Sequence, residues 1–193
     1  MKKIQLAFLL LLFAGAAYAQ FEDTKFVIGG AIGYNNDAFS SVSSIGVVPS
    51  FAKTIKSDAL IGLSGGYYTS IVKNNDSNTK ETRENVHAGI YYQKFYGIAE
   101  RVFFNWRALA GMSFVNQGST FSTYDTRGYE FNLMPGLSWK VTENIMLQAS
   151  LGEAGYSYQS QSSDSQSSPV DVKNSQFNIR FNNPQLGVAF LIK

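Results

Sequence analysis

Gly128-Tyr129-Glu130-Phe131-Asn132-Leu133-Met134-Pro135-Gly136-Leu137-Ser138-Trp139 decides the fold. Tyr129, Phe131, Leu133, Pro135, Leu137 and Trp139 take alternate positions, and small or polar residues with Met134 fill the gaps. A period of two belongs to a β-strand with two unlike faces. Here one face is apolar and aromatic, while the other carries Gly128, Glu130, Asn132, Gly136 and Ser138.

The pattern recurs seven more times. Phe26, Ile28, Ile32 and Tyr34 oppose Val27, Gly29, Ala31 and Gly33. Ile45, Val47, Pro49 and Phe51 oppose Gly46, Val48, Ser50 and Ala52. Ala59, Ile61, Leu63 and Tyr67 oppose Leu60, Gly62, Ser64, Gly66 and Tyr68. Val86, Ala88, Ile90 and Tyr92 oppose His87, Gly89, Tyr91 and Gln93. Phe104, Trp106, Ala108, Ala110, Met112 and Phe114 oppose Asn105, Arg107, Leu109, Gly111 and Ser113. Ile145, Leu147, Ala149 and Leu151 oppose Met146, Gln148, Ser150 and Gly152. The last segment sets Phe177, Ile179 and Phe181 against Gln176, Asn178, Arg180 and Asn182. It changes parity near Asn183-Pro184, as one extra residue at a bulge would produce, and ends with Leu186, Val188, Phe190 and Ile192 against Gln185, Gly187 and Ala189.

The connections alternate. Short ones follow segments two, four and six, at Lys56-Ser57-Asp58, Gly97 to Glu100 and Thr142-Glu143. Longer polar ones, at about 35–43, 73–84, 115–127 and 159–174, follow the others. This is an up-and-down meander, and eight strands suffice to close it into a barrel without exposed edges. Residues 49–66 and 135–152 also align without a gap, Pro49 on Pro135 and Gly66 on Gly152. Either an internal repeat or chance likeness between two amphipathic hairpins accounts for that.

A soluble barrel puts its apolar face inside, whereas a membrane barrel turns it to lipid. No strand here has a Lys- and Glu-rich face suited to bulk water, and the opposite face is small enough for the tight interior of eight strands. The expected fold is therefore an all-β, eight-stranded antiparallel up-and-down transmembrane β-barrel. Pro49 and Pro135 fall within strands, so missing ladder bonds or bulges are expected there.

Composition agrees. The chain has 193 residues, no Cys, one His, 17 Gly, 15 Phe and 11 Tyr. Only 16% of residues are charged, against a usual ~25%. These counts exclude disulfide staples, thiolate chemistry and multi-histidine metal sites. The absence of a Lys/Arg run argues against nucleic acid.

Lys2 and Lys3, the apolar run from Ile4 to Phe13 and Ala17-Tyr18-Ala19 read as a signal peptide over 1–19, cleaved before Gln20. The alternative, an N-terminal anchor, needs ~20 apolar residues. The mature barrel domain, 20–193, then carries 14 basic and 14 acidic residues. Export puts the short turns in the periplasm. Trp106, Trp139 and Tyr92, with Phe26 and Phe51, then lie near the periplasmic interface. Tyr34, Tyr67, Phe114 and Tyr129 lie near the outer one.

With these features, the chain resembles the small outer-membrane β-barrel family of OmpA/OmpX-like type, in its porin family protein branch. The likeness runs from Lys25 to Lys193. It rests on the meander, the leader, Pro49-Ser50-Phe51, Pro135-Gly136-Leu137-Ser138-Trp139 and the closing Leu186-Gly187-Val188-Ala189-Phe190. That family often ends in an aromatic residue read by the insertion machinery. This chain ends Phe190-Leu191-Ile192-Lys193, with Phe190 the candidate signal. The resemblance implies a Gram-negative outer membrane, and a structural, adhesive or accessory role rather than one activity.

The inward ionisable residues are Arg107, Glu130, Arg180 and His87. Enclosed charges are expected to pair, so one reading is an internal network with Asn105, Asn132 and Gln148. A narrow polar conduit and a substrate site are the others. His87 raises the question of an enzyme, since some eight-stranded barrels modify lipid A. However, no distinctive nucleophile motif accompanies it. Glu153 breaks its strand's parity, through either a bulge or an exit from the membrane. Asn74-Asn75-Asp76-Ser77-Asn78 lacks the glycine and closing Glu of a calcium loop.

The function read from the sequence is that of a non-enzymatic outer-membrane barrel acting through its outer loops. A small pore and, third, a lipid-modifying enzyme are the alternatives. No cofactor or metal is expected. The expected partners are outer-membrane lipid and lipopolysaccharide, the barrel-insertion machinery during biogenesis and an unidentified envelope or extracellular protein. The expected state is monomeric.

Overall fold

The computed structural model describes residues 21, 23–37, 42–74, 79–118, 123–163, 171–181 and 185–193. The expected leader (1–19), residues 75–78 of the Asn-rich loop and the Asn183-Pro184 parity change lie outside them.

The strands are β1 (Phe26–Asp37), β2 (Val42–Lys56), β3 (Ala59–Asn74), β4 (Thr79–Ala99), β5 (Val102–Gly118) and β6 (Thr123–Lys140). They continue with β7 (Ile145–Ser150), β8 (Glu153–Ser163), β9 (Asp171–Arg180) and β10 (Gln185–Ile192). Each of the first six pairs antiparallel with the next. β7 and β8 both pair with β6 and form a seventh stave; β9 pairs with β8 and β10 with β7, forming the eighth. β10 returns to β1, Phe26 opposite Ile192 and Gly33 opposite Gln185. The chain is thus a closed eight-stranded antiparallel β-barrel, broken into ten strands by two interruptions.

The facing follows the sequence alternation. Phe131, Leu133 and Leu137 are 53%, 42% and 39% exposed on the outer surface, while Gly128, Gly136 and Ser138 on the opposite face of the strand are buried. Ala59 departs from its expected outward place and is fully buried. It is the first residue of β3, directly after the turn, and the regular alternation starts only at Leu60.

Both prolines disturb the ladder. β2 and β3 keep register across Pro49, but Val48 and Pro49 lack partners in β3. Pro has no N–H to give, so this gap is the expected missing bond. Opposite Met134 and Pro135 the seventh stave breaks at Leu151-Gly152, and Leu151 N donates to Pro135 O at 2.9 Å. From Leu133 to Gly136 β6 takes three steps, whereas its partners take four, from Ala154 to Ser150. That extra residue is a bulge, and Gly152 sits there at φ 156°, a region only glycine visits at low cost. The bulge turns Glu153 inward. The eighth stave has more surplus than one residue. It takes six steps from Arg180 to Leu186 where the seventh takes four from Glu153 to Ala149.

The long connections are shorter than the sequence suggests. β1 runs to Asp37 and β2 resumes at Val42; β3 and β4 approach within Asn74 and Thr79, and β5 and β6 within Gly118 and Thr123. Polar residues continue the ladder because both faces are wet beyond the apolar band, so polarity there marks depth rather than loop.

The interior is not polar throughout. From the short-turn end outward to Tyr91 and Leu109, residues Phe21, Val27, Ala52, Leu60, Phe95, Phe103, Met146, Ala189 and Leu191 with those two form one buried apolar cluster, whose floor at the turn end surrounds Phe95 and Phe103. Phe21 precedes β1 and folds back under the barrel. Its N–H donates to Ser57 O at 3.0 Å, and its ring meets Phe95 edge-on at 4.9 Å.

Candidate functional site

Above that apolar floor lies a polar layer. Gln93 Nε2 donates to Asn105 Oδ1 at 3.0 Å, and Asn105 Nδ2 to Ser138 Oγ at 2.8 Å. Arg107 donates from Nε and Nη2 to Gln93 Oε1 at 3.2 and 2.9 Å, and from Nη2 to Gln148 Oε1 at 3.4 Å. Its guanidinium also lies over the Tyr91 ring, 4.4 Å from the centroid. Gln93 and Arg107 are direct partners across the β4–β5 ladder, so the hairpin register brings them together.

Beyond Arg107 the barrel opens into a cup of about 340 Å³. Its wall includes Ser64, Tyr68, Asn85, His87, Glu130, Asn132, Glu153 and Gln185, with Arg83 and Gln159 among the remainder. Arg107 also borders a second space of about 40 Å³ with Gln93, Asn105, Gln148 and Ser150. It therefore divides the lumen.

Two glycines make room for the largest cup side chains. Tyr68 lies over Gly46 and His87 over Gly66, and a Cβ at either glycine would overlap the ring. The rings stack on each other at 5.5 Å, and Gln185 Nε2 donates to Tyr68 Oη at 3.1 Å.

The sequence placed Arg107, Glu130, His87, Asn105, Asn132 and Gln148 inside, and each lines the cup or the layer below it. The structure divides them differently from the expected network. Arg107, Asn105 and Gln148 belong to the layer. Glu130, Asn132 and His87 belong to the cup. No ion pair joins Arg107 to Glu130 among the described residues, because Glu130 pairs with Gly111, four residues further out on β5 than Arg107. Arg180 is opposite Glu153 in the β8–β9 ladder, and its side chain lies outside the described residues. Gln93, Tyr91, Tyr68 and the apolar floor are additions that sequence reasoning did not single out as site residues. Among the described residues no three His, Asp or Glu side chains gather as metal ligands.

The outer aromatics fall into two groups. Toward the short turns Tyr92 and Trp106 lie 5.3 Å apart, Trp106 Nε1 donates to Tyr96 Oη at 3.2 Å, and Phe26 stacks on Phe51 at 5.7 Å. Trp139 is exposed on the same end of β6. Tyr34, Tyr67, Phe114 and Tyr129 are exposed at the other end, and Tyr67 Oη donates to Glu84 Oε1 at 3.0 Å.

No protein-family model matches the chain, and no curated protein matches its sequence. Solved structures do match. Neisserial surface protein A is 15% identical over 86% of this chain and 96% of its own, with a TM-score of 0.52. The outer membrane protein OprG from Pseudomonas aeruginosa is 12% identical over 86% and 95%, with a TM-score of 0.51. The N-terminal β-barrel domain of OprF from Pseudomonas aeruginosa is 14% identical over 86% and 97%, with a TM-score of 0.50. At such identities the common property is architecture: this chain has the fold of the small outer-membrane β-barrels.

Proposed function

We propose that the protein is a monomeric, non-enzymatic, non-conducting barrel of the Gram-negative outer membrane. Its short turns face the periplasm, and its cup and extended strand ends face outward. Lipid and lipopolysaccharide surround it, and the insertion machinery meets it during biogenesis. Its role is structural, adhesive or partner-binding.

One observation carries the reading: the lumen is closed twice, by the Arg107 layer and by the floor around Phe95 and Phe103. A conducting path needs continuous water, and eight strands leave an interior that side chains fill. The apolar outer face and two aromatic groups support a membrane setting. His87 stacks on Tyr68 and has no hydrogen-bonded carboxylate among the described residues, which disfavours a catalytic base.

The test joins two measurements. Purified protein is expected to migrate differently on gels before and after boiling, and to be silent in planar lipid bilayers. Phe95→Ala with Arg107→Ala, if it keeps the band shift, is expected to conduct. Steady openings from the wild-type barrel would overturn the reading in favour of a pore.

A further inference from the structure

Arg107 and Glu130 face the cup from neighbouring strands and form no ion pair with each other among the described residues. Arg107 is held by the Gln93 and Gln148 amides and by the Tyr91 ring, all neutral groups. Its Nη1 makes no hydrogen bond among the described residues. Glu130 stands on the neighbouring strand, four residues further out, about 13 Å along the strand at ~3.3 Å per residue. Glu153 adds a second carboxylate to the cup lining, and Arg83 adds another guanidinium.

Enclosing charges in a narrow barrel costs free energy that close pairing offsets. A lumen shaped only for stability would set Arg107 against Glu130 or dispense with both. Further groups stand open. Ser64 Oγ, on a residue only 5% exposed, has no hydrogen-bond partner, and neither has Asn85 Oδ1. Both side chains line the same cup.

We propose that the cup binds a small zwitterion of dipeptide size, with its carboxylate received by Arg107 and its ammonium by Glu130. The planar guanidinium suits a carboxylate, and its Nη1, without a partner among the described residues, supplies donors. The carboxylate of Glu130, with Asn132 beside it, accepts from an ammonium. An extended dipeptide spans about 7 Å. The two side chains are left to cover the remainder of the ~13 Å between their backbones. The cup's volume of about 340 Å³ accommodates such a molecule with water around it. Ser64, opposite Gly89 in the ladder, is placed to meet one of its peptide groups. The inference uses the outward-open cup of the proposed function and adds a ligand class to it.

The test is equilibrium dialysis of the full barrel, folded in detergent, against labelled glycylglycine. Saturable binding is expected. N-acetylglycylglycine lacks the ammonium and glycylglycinamide the carboxylate, and each is expected to bind the wild-type barrel about tenfold more weakly or worse. These two probes need no variant, so misfolding does not confound them. Glu130→Gln is expected to weaken glycylglycine binding and leave N-acetylglycylglycine unchanged. Arg107→Gln is expected to do the same for glycylglycine and glycylglycinamide. Absence of saturable binding, equal binding of blocked and free probes, or an unchanged affinity in Glu130→Gln overturns the zwitterion site. A heat-modifiable, electrically silent barrel that ignores glycylglycine sinks this inference and leaves the proposed function standing.

Discussion

Replacing Leu133 with Arg separates a lipid-facing barrel from a water-facing one. Leu133 points outward on β6 and is 42% exposed. Trp139 and Tyr129 mark the two aromatic groups on the same strand face. Ten steps separate them, about 33 Å at ~3.3 Å per residue, or roughly 25 Å along the normal for a strand tilted ~40°. That is the height of the apolar band of outer-membrane barrels, ~25 Å. Leu133 lies within about one residue of its middle. A guanidinium there is expected to cost about 2–4 kcal/mol, whereas Tyr129→Arg, at the rim, costs about 0–1 kcal/mol. The difference, ~2–3 kcal/mol, is a factor of roughly 30–150 in the folding equilibrium. Denaturant unfolding from thin lipid vesicles, followed by tryptophan fluorescence, measures both variants on one scale. On a water-exposed surface either change falls within about ±0.5 kcal/mol. Equal costs at the two positions, or a negligible one at Leu133, would refute the lipid-facing assignment.

Further expectations concern the interior. Gly66→Ala drives a methyl into the His87 ring and is expected to destabilise by about 1–3 kcal/mol. Adding His87→Ala is expected to recover most of that loss, and a double-mutant cycle with no coupling would contradict the contact. Gly152→Ala places a side chain at φ 156° and is expected to cost about 1–3 kcal/mol, while Gly155→Ala tests crowding against Asn132 instead of backbone strain. Equal unfolding midpoints for Gly152→Ala and wild type would argue against a strained bulge.

Much of the barrel was legible because alternation is a local signal. Phe131, Asn132 and Leu133 announce their sides whatever they pair with, and of the two readings of the parity slip at Glu153, bulge or exit from the membrane, the ladder shows the bulge. Gln148 was expected near Arg107, but Gln93 and Tyr91 were not legible as its partners, because they depend on cross-strand register. Gln93 faces Arg107 only because the tight turn after Ala99 aligns β4 and β5 that way. The apolar floor was missed for a different reason. Phe95 continues the inward series of Tyr91 and Gln93, and Phe103 leads into Asn105, but an aromatic at a strand end reads equally well as an interface residue. Strand length beyond the membrane was hidden too, since Thr82 or Asn116 gives the same polar signal in a ladder as in a loop.

Closure of the barrel is uneven. β5 and β6 share seventeen paired positions, from Val102–Trp139 to Gly118–Thr123, whereas β1 and β10 share eight, from Phe26–Ile192 to Gly33–Gln185. Among the described residues β9 pairs with β8. Among the described residues the β1–β10 seam is thus less than half as long as the β5–β6 one. Local opening is expected along that shorter seam before the β5–β6 hairpin loosens.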